Sequence, residues 1–414
     1  MDVVHPCCCG LDVHKRTVVA CVLRSESSGP PRREIRTFGT YTNDVQALAD
    51  WLAERQVTHV ALESTGVYWK PIWNLLEDRF ELLLVNPRHI KAVPGRKTDV
   101  LDAEWLAELL RFGLLKASFV PDRAQRELRE LTRYRTSLIQ ERTAAVNRVQ
   151  KTLEGANIKL ASVASDVLGL SGRQMLAALV AGTTDAQHMA DLAHGRLRDK
   201  LPQLEQALAG RVGAHQRFLL AEQLGHIDAL DGSLERLSAE IAERMRPFDE
   251  QLARLDTIPG VGRVVAEVVL AEIGTDLERF MTAAHLASWA GMCPGHNESA
   301  GKRRSGKTRK GSPWLRSALI QAAHAAAHSK HSYLAAQYRR LTARRGTKKA
   351  AVAVGHSILV IAYHLLRHDC PYVDLGPTYL DQRQPGRVQR RLVHRLEALG
   401  FSVHLTPLTD APAA

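Results

Sequence analysis

Between residues 7 and 86 the apolar positions fall into short runs broken by polar clusters, with helical spacing between the later runs. CCCGLDV and TVVACVLR are rich in strand-forming residues, and His14, Lys15 and Arg16 separate them, which predicts a hairpin. A third strand, REIRTFGTY, follows a Ser/Gly/Pro loop. The amphipathic stretch DVQALADWLAERQ predicts a helix capped by Thr42 or Asn43. VTHVALE is then a short strand, Tyr68 to Asp78 a helix, and FELLLVN another strand.

From Asp99 the spacing changes to threes and fours and nearly everything reads as helix. DVLDAEWLAELLRFG comes first, followed by a long charged helix from about Asp122 to Glu154. Residues 160 to 212 are helical, punctuated by glycine and without evident chemistry. Leu220, Leu224, Ile227, Leu230, Leu234, Leu237, Ile241, Met245, Phe248, Leu252 and Leu255 then form a seam of the kind coiled coils use. Pro247 should end or kink that helix, because its ring removes a donor and clashes with the preceding turn.

Three antiparallel-type strands followed by helix, strand, helix and strand is the element order of an RNase H-like fold, one option among several α/β folds. The expected class is therefore α/β plus all-α. Its segments are 1–120, a helical and coiled-coil region 121–252, a basic helical domain 253–375 and a tail 376–414. AAVAVGHSILVIAYHLL, from Ala350 to Leu366, carries no Asp, Glu, Lys or Arg. It is short for a membrane span and contains His356 and His364, so it reads as a buried helix and no membrane partner is expected.

Composition then narrows the partner. The 414 residues carry 56 Lys and Arg against 44 Asp and Glu, a formal net charge of +12, and are 45% hydrophobic. That describes an ordinary globular chain, not a disordered or collagenous one, whose default partner is a polyanion. Six cysteines, three of them adjacent at Cys7, Cys8 and Cys9, are too few for a disulfide scaffold and suggest reduced thiols. No secretory signal is expected at MDVVHPCCCGLDVHK, so the expected location is cytoplasmic.

Candidate chemistry begins with acids in apolar places. Asp12 ends a Cys-rich strand and Glu63 ends VTHVALE, positions where a carboxylate needs a partner. In an RNase H-like sheet the first and fourth strands are neighbours, which would bring the two together. Asp99 and Asp102, three apart at a helix start, share a face favoured by the helix dipole. Four converging carboxylates call for a hard cation. Mg²⁺ fits, and two such ions can stabilise the attacking and leaving oxygens of a phosphoryl displacement. Taken singly, each acid reads as a cap or a solvated charge before it reads as a ligand. Glu104 and Glu108 should face solvent, Ser64, Thr65 and Gly66 should make a turn, and Trp69, Trp73 and Trp105 should be core.

The C-terminal block is basic. Ile258-Pro259-Gly260-Val261-Gly262 before an apolar helix reads as the hairpin of a helix-hairpin-helix, with Gly260 and Gly262 letting backbone N–H groups approach a phosphate. The alternative is a plain helix connection. From His296 to Arg316, Lys302, Arg303, Arg304, Lys307, Arg309, Lys310 and Arg316 stand against Glu298 alone, a net charge of +6 in a stretch whose glycines and serines suggest flexibility. Arg339, Arg340, Arg344, Arg345, Lys348 and Lys349 form a second cluster, either a phosphate-binding face or an ordinary solvated one. His324, His328 and His331 have helical spacing but lack a completing ligand, so nucleic-acid contact or helix surface is expected there instead of a metal site.

GLDVHK, ALESTGVYW, VNPRHIKAVPGRKTDVLDAEWLAELL and the block from IPGVGRVVAEVVLAEIG to GSPWLRSALIQAA resemble, in order, the DEDD transposases of the IS-one-ten insertion-sequence family. The resemblance covers roughly 7–120 and 253–370. It implies a RuvC-like nuclease domain whose acidic set falls on Asp12, Glu63, Asp99 and Asp102, then a coiled coil and a C-terminal transposase domain. It also implies a serine nucleophile: the family's Ser, Gly, Gly, Lys pattern falls on Ser299, Ala300, Gly301 and Lys302, with Ala300 replacing the more usual glycine. From the residues alone Ser305 and Ser312 compete with Ser299. A serine hydroxyl needs activation by a base or metal. The resemblance further implies DNA substrates, a noncoding bridge RNA as guide and a dimeric or tetrameric assembly.

Three rivals remain. A metal nuclease of the Holliday-junction-resolvase kind would use activated water instead of Ser299. A non-catalytic nucleic-acid-binding protein would have a structural acidic set. An actin-like ATPase is disfavoured because the chain lacks a second convincing phosphate loop.

Overall fold

The computed structural model describes residues 2–26, 29–64, 66–87, 102–295 and 298–406. The chain divides into two compact units, Met1–Pro121 and Asp122–Ala414.

The first unit is built on strands β1 (Cys7–Val13), β2 (Thr17–Arg24) and β3 (Arg32–Gly39), helix α1 (Thr42–Glu54), β4 (His59–Glu63), α2 (Trp69–Leu76), β5 (Glu81–Val85) and α3 (Asp102–Arg111). The five strands form one sheet in the order β3-β2-β1-β4-β5. β1, β2 and β3 are antiparallel, while β1 with β4 and β4 with β5 are parallel, so the expected adjacency of the first and fourth strands is present. Apolar side chains on both faces of the central strands require cover on both sides. Leu11, Val13, Val60 and Leu62 bury against Leu48, Leu52, Ile72 and Leu76 of α1 and α2. Cys8, Cys21, Ala61 and Val85 bury against Ala103, Leu106, Ala107 and Leu110 of α3. Gly10 makes the second contact close: a Cβ there would lie 2.1 Å from the Ala103 carbonyl oxygen and 2.6 Å from the Ala107 nitrogen. Neither Thr42 nor Asn43 caps α1; the helix begins at Thr42 behind Tyr41 and receives no side-chain cap.

The second unit is mostly helical. Asp122 caps α4 (Arg123–Gly155), accepting from the Gln125 N–H at 2.8 Å. Short helices α5 (Leu160–Val163), α6 (Leu170–Ala181), α7 (Ala186–Asp191) and α8 (Leu201–Leu208) follow, and then α9 (Ala214–Met245). α9 runs antiparallel to α4, with Arg142 paired to Asp231 and Arg244 to Glu127. The seam predicted on α9 is buried, but against the chain's own helices. Leu220, Ile227 and Leu230 join a core with Leu138, Val149 and Leu153 of α4, while Ile241 and Met245 join a second core. Pro247 ends the helix as expected, in a 3₁₀ turn at Arg246–Phe248.

That second core gathers α10 (Asp249–Asp256), α11 (Arg263–Ile273), α12 (Ala283–Trp289), α13 (Pro313–Ala327), α14 (Tyr333–Arg345) and α15 (Thr347–His368). α15 is the one helix among the described residues long and apolar enough to cross a membrane. Its Val354, Ile358, Leu359 and Ala362 face are packed into this core, where the sequence placed them. α4 is tied to α11 by ion pairs to two buried carboxylates: Arg135 to Glu267 at 2.6 Å, and Arg133 to both oxygens of Glu272 at 2.7 and 3.0 Å. Between α12 and α13 lie the two-residue strands β6 (Glu298–Ser299) and β7 (Lys302–Arg303). Helices α16 (Tyr379–Gln382) and α17 (Pro385–Glu397) follow, and α17 has no buried residue.

Candidate active site and nucleic-acid interface

Alternation along β1 decides where Asp12 points. Leu11 and Val13 enter the α1/α2 side, Cys8 and Gly10 the α3 side, so Asp12 also faces the α3 side. Parallel pairing of Leu11 with Leu62 carries the same register on to Glu63, one step past Ala61 on that face. α3 crosses this face with Asp102 in its first turn and Ala103 against Gly10. Three carboxylates therefore come to the same face of the sheet from three elements, at the ends of two neighbouring strands and the start of a helix whose dipole favours negative charge. All three are partly exposed.

Asp12 accepts from His14 Nε2 at 3.0 Å, a contact the sequence reading did not anticipate. Asp99 lies outside the described residues, as does Thr65 of the expected turn. Among the described residues no three His, Cys, Asp or Glu side chains gather within metal-binding range. The chemistry of the set, hard oxygens alone, suits a hard divalent cation.

Glu104 departs from expectation. Only Glu108 is exposed; Glu104 turns inward, pairs with Arg33 at 2.6 Å and leaves Oε2 buried without a hydrogen-bond partner. Its charge, after burial, helps push the Cys21 thiol up to about 12.

In the second unit the described residues of the basic stretch form a backbone-paired arm. Pro294 bridges Thr308, and the Gly295 N–H donates to the Lys307 carbonyl at 3.0 Å. At the tip, β6 and β7 pair Ser299 with Lys302 through a two-residue turn, Ala300 and Gly301, at φ of 51° and 69°. Two consecutive left-handed residues are what a tight hairpin of this twist requires, and glycine meets that demand without strain while alanine does not. Ser312 is the cap of α13, accepting from the Leu315 N–H at 3.3 Å and donating to Glu272 Oε2 at 3.1 Å.

The predicted basic residues fall into two groups. Lys302, Arg304, Lys307, Arg309 and Lys310 on the arm, and Arg344, Arg345, Lys348 and Lys349 where α14 meets α15, are exposed. Arg316 is half-buried and turned inward, its Nη1 donating to the Gly291 carbonyl at 3.0 Å and to Thr308 Oγ1 at 2.7 Å. Arg340 pairs with Asp381. The helix-hairpin-helix motif joins α10 to α11. Gly260, at φ 86°, packs so closely on α13 that a Cβ would lie 2.3 Å from the Ala322 carbonyl oxygen, whereas Gly262 is exposed with open space where a Cβ would be. His324 is engaged by the Tyr338 hydroxyl at 3.1 Å.

Carboxylates at the ends of two neighbouring strands and at the start of the helix over them in one unit, with an exposed cationic arm in the other, are the features of a class of protein that acts on nucleic acid. Residues 9–158 match a transposase family model of the DEDD, IS110 type, and residues 252–339 match the Transposase IS116/IS110/IS902 family; together they span more than half of the chain. A probable family 20 transposase of Pseudomonas aeruginosa is 26% identical, over 76% of this chain and 85% of that protein. The transposase for insertion sequence element IS1111A of Coxiella burnetii is also 26% identical, over 70% of this chain and 72% of its own. A pilin gene-inverting protein of Moraxella bovis is 23% identical over 88% and 96%. The chain belongs to the IS110 family of insertion-sequence transposases.

Proposed function

We propose that this transposase cuts and exchanges DNA strands through a serine-phosphodiester intermediate, at a Mg²⁺-dependent site made by Asp12, Glu63, Asp99 and Asp102 on an RNase H-like sheet, with Ser299 as nucleophile. The observation that carries the reading is the arrival of Asp12, Glu63 and Asp102 on one face at the ends of β1 and β4 and the start of α3. Mg²⁺, two ions in this reading, would supply charge neutralisation at the scissile phosphate. The chain's own residues do the rest. Ser299 forms a bond to phosphorus as the bond to the leaving deoxyribose oxygen breaks, which conserves the phosphodiester energy for rejoining. Exposed Lys302, Arg304, Lys307, Arg309 and Lys310, with Arg303, offset the charge of the phosphorane. Arg344, Arg345, Lys348 and Lys349, with the N-terminus of α11 at Gly262, hold nucleic acid as well, including the guiding bridge RNA. Two or four copies assemble in this reading.

The test is a denaturing gel. Purified protein is incubated with Mg²⁺, DNA from the ends of its own element and RNA transcribed from the flanks. Wild type is expected to give a covalent protein–DNA species, and Ser299→Ala and Asp12→Asn none. Cleavage by Ser299→Ala with no adduct in any sample would overturn the serine reading in favour of activated water. Unchanged activity in Asp12→Asn and Glu63→Gln would overturn the acidic site.

A further inference from the structure

Arg316 belongs by sequence to the basic stretch read as a nucleic-acid contact, yet its side chain is half-buried and its Nη1 is turned onto the protein's own groups. The arm of residues 291–311 leaves and re-enters the helical core through a neck of two glycines. A Cβ on Gly291 would lie 2.7 Å from the Gly311 nitrogen, and one on Gly311 would lie 2.3 Å from the Ala290 carbonyl. At the neck the limbs thus touch backbone to backbone. Farther out the limbs pair through the Pro294–Thr308 bridge and the Gly295 N–H to the Lys307 carbonyl, and at the neck a guanidinium ties both limbs to α13. From the first turn of α13, Arg316 Nη1 holds Gly291 on the outgoing limb and Thr308 on the returning limb, 3.0 and 2.7 Å away. The returning limb is fastened to the same helix again where Ser312 caps it and donates to Glu272, which Arg133 orients.

We propose that Arg316 is a positioning residue for the arm, fixing the direction in which its tip carries Ser299, and not a nucleic-acid contact. The catalytic part of this inference rests on the reading of Ser299 as nucleophile. A rotation at the neck is amplified towards the tip, and a misplacement of about 1 Å at a reacting atom costs about a hundredfold in rate. Arg316→Gln, too short to reach both limbs, is expected to lower adduct formation by about tenfold to a hundredfold. A lysine reaches with a charged donor and restores part of the rate.

Three measurements on the full chain decide the matter: hydrogen exchange of peptides within 291–311, affinity for a random-sequence DNA duplex across a salt series, and single-turnover adduct formation. For Arg316→Gln we expect faster exchange confined to the arm, an unchanged thermal midpoint, unchanged duplex affinity and salt slope, and slower adduct formation. Arg316→Lys should reverse part of the exchange and rate changes. Adding Thr308→Val to Arg316→Gln should cost less than the two single effects together, because they break the same contact. Unchanged arm exchange overturns the proposal. So does a salt slope reduced by about 0.9, the signature of one lost phosphate contact. Faster arm exchange with a normal adduct rate, in a protein that Ser299→Ala inactivates, refutes the positioning role and leaves the nucleophile standing. If Ser299→Ala still forms the adduct, the nucleophile reading fails instead, and the exchange comparison still decides whether Arg316 holds the arm.

Discussion

Replacing Gly10 by alanine tests the link between the sheet and the acidic site. The new carbon would sit 2.1 Å from the Ala103 carbonyl oxygen, 2.6 Å from the Ala107 nitrogen and 2.9 Å from Leu106 Cβ, whereas ordinary contact begins near 3.4 Å. Two of these three atoms are backbone, so no rotamer change relieves the clash. α3 must retreat by about 1.3 Å at this point. A gap of 0.5–1 Å already forfeits about a quarter to a half of each dispersion contact. Ala103, Leu106, Ala107 and Leu110 all lose contact with Cys8, Cys21 and Ala61 at once. That places the cost near about 3 kcal/mol, at the upper end of overpacking effects. In a urea titration, at about 2 kcal/mol per molar, the first unit's midpoint should fall by about 1.5 M at unchanged slope. Trp51, Trp69, Trp73 and Trp105 lie in that unit and report on it, while Trp289 and Trp314 report on the other. Since Asp102 precedes Ala103, the retreat also draws it from Asp12 and Glu63, and folded Gly10→Ala should lose adduct formation. A midpoint within about 0.3 M of wild type would refute the reasoning. Gly225→Ala is the internal control: in mid-α9, with open space at the missing Cβ, it should stabilise the second unit by about 1 kcal/mol.

Ala300→Gly removes a left-handed alanine from the tip of the arm and should slow hydrogen exchange across 298–303 by an amount equivalent to about 1 kcal/mol, read by the same peptide mass spectrometry. Glu267→Ala strips Arg135, 3% exposed, and Arg263 of their shared carboxylate; a loss of about 3–5 kcal/mol in the second unit is expected, largely recovered when Arg135→Met is added. Burial raises Cys8 and Cys21 from 9.0 to about 12, so the stability they contribute is complete below pH 9 and is lost between pH 9 and 12, as unfolded thiols ionise while folded ones do not. Urea midpoints across that window should fall for wild type and fall less for a Cys8→Ala, Cys21→Ala variant.

Where local pattern and tertiary demand coincide, the sequence reads well. The β1–β2 hairpin, the long helix α4 and the break at Pro247 all follow from residues within a few positions of one another. Asp12 and Glu63 stand out because each interrupts an apolar run, so their place at strand ends was legible before any strand pairing was known. Periodicity shows which face of α9 is apolar and says nothing of what covers it; the seam of coiled-coil type is covered by α4 of the same chain. The arm was illegible for a related reason. Gly291 and Gly311 meet across some twenty residues with no alternation between them, and a sequence rich in Gly, Ser and Lys has the composition of a flexible loop. The inward turn of Glu104 and the half-burial of Arg316 were not legible because burial of a charge depends on partners far along the chain, Arg33 in one case and Gly291 in the other.

The long pair α4 and α9 has a metric consequence. Each helix contributes side chains to two separate cores, one near Leu153 and Leu220, the other near Leu128 and Met245. At 1.5 Å per residue the 33 residues of α4 extend about 50 Å, so the pair acts as a ruler between its two ends. Removing seven residues from each helix at facing positions would shorten it by about 10 Å and turn the ends by only about 20°. Removing seven from one alone would set the two scales out of register and leave Arg142 and Asp231 unable to meet. Any spacing between bound strands that depends on this unit is therefore graduated in helical turns, and adjustable only in matched pairs.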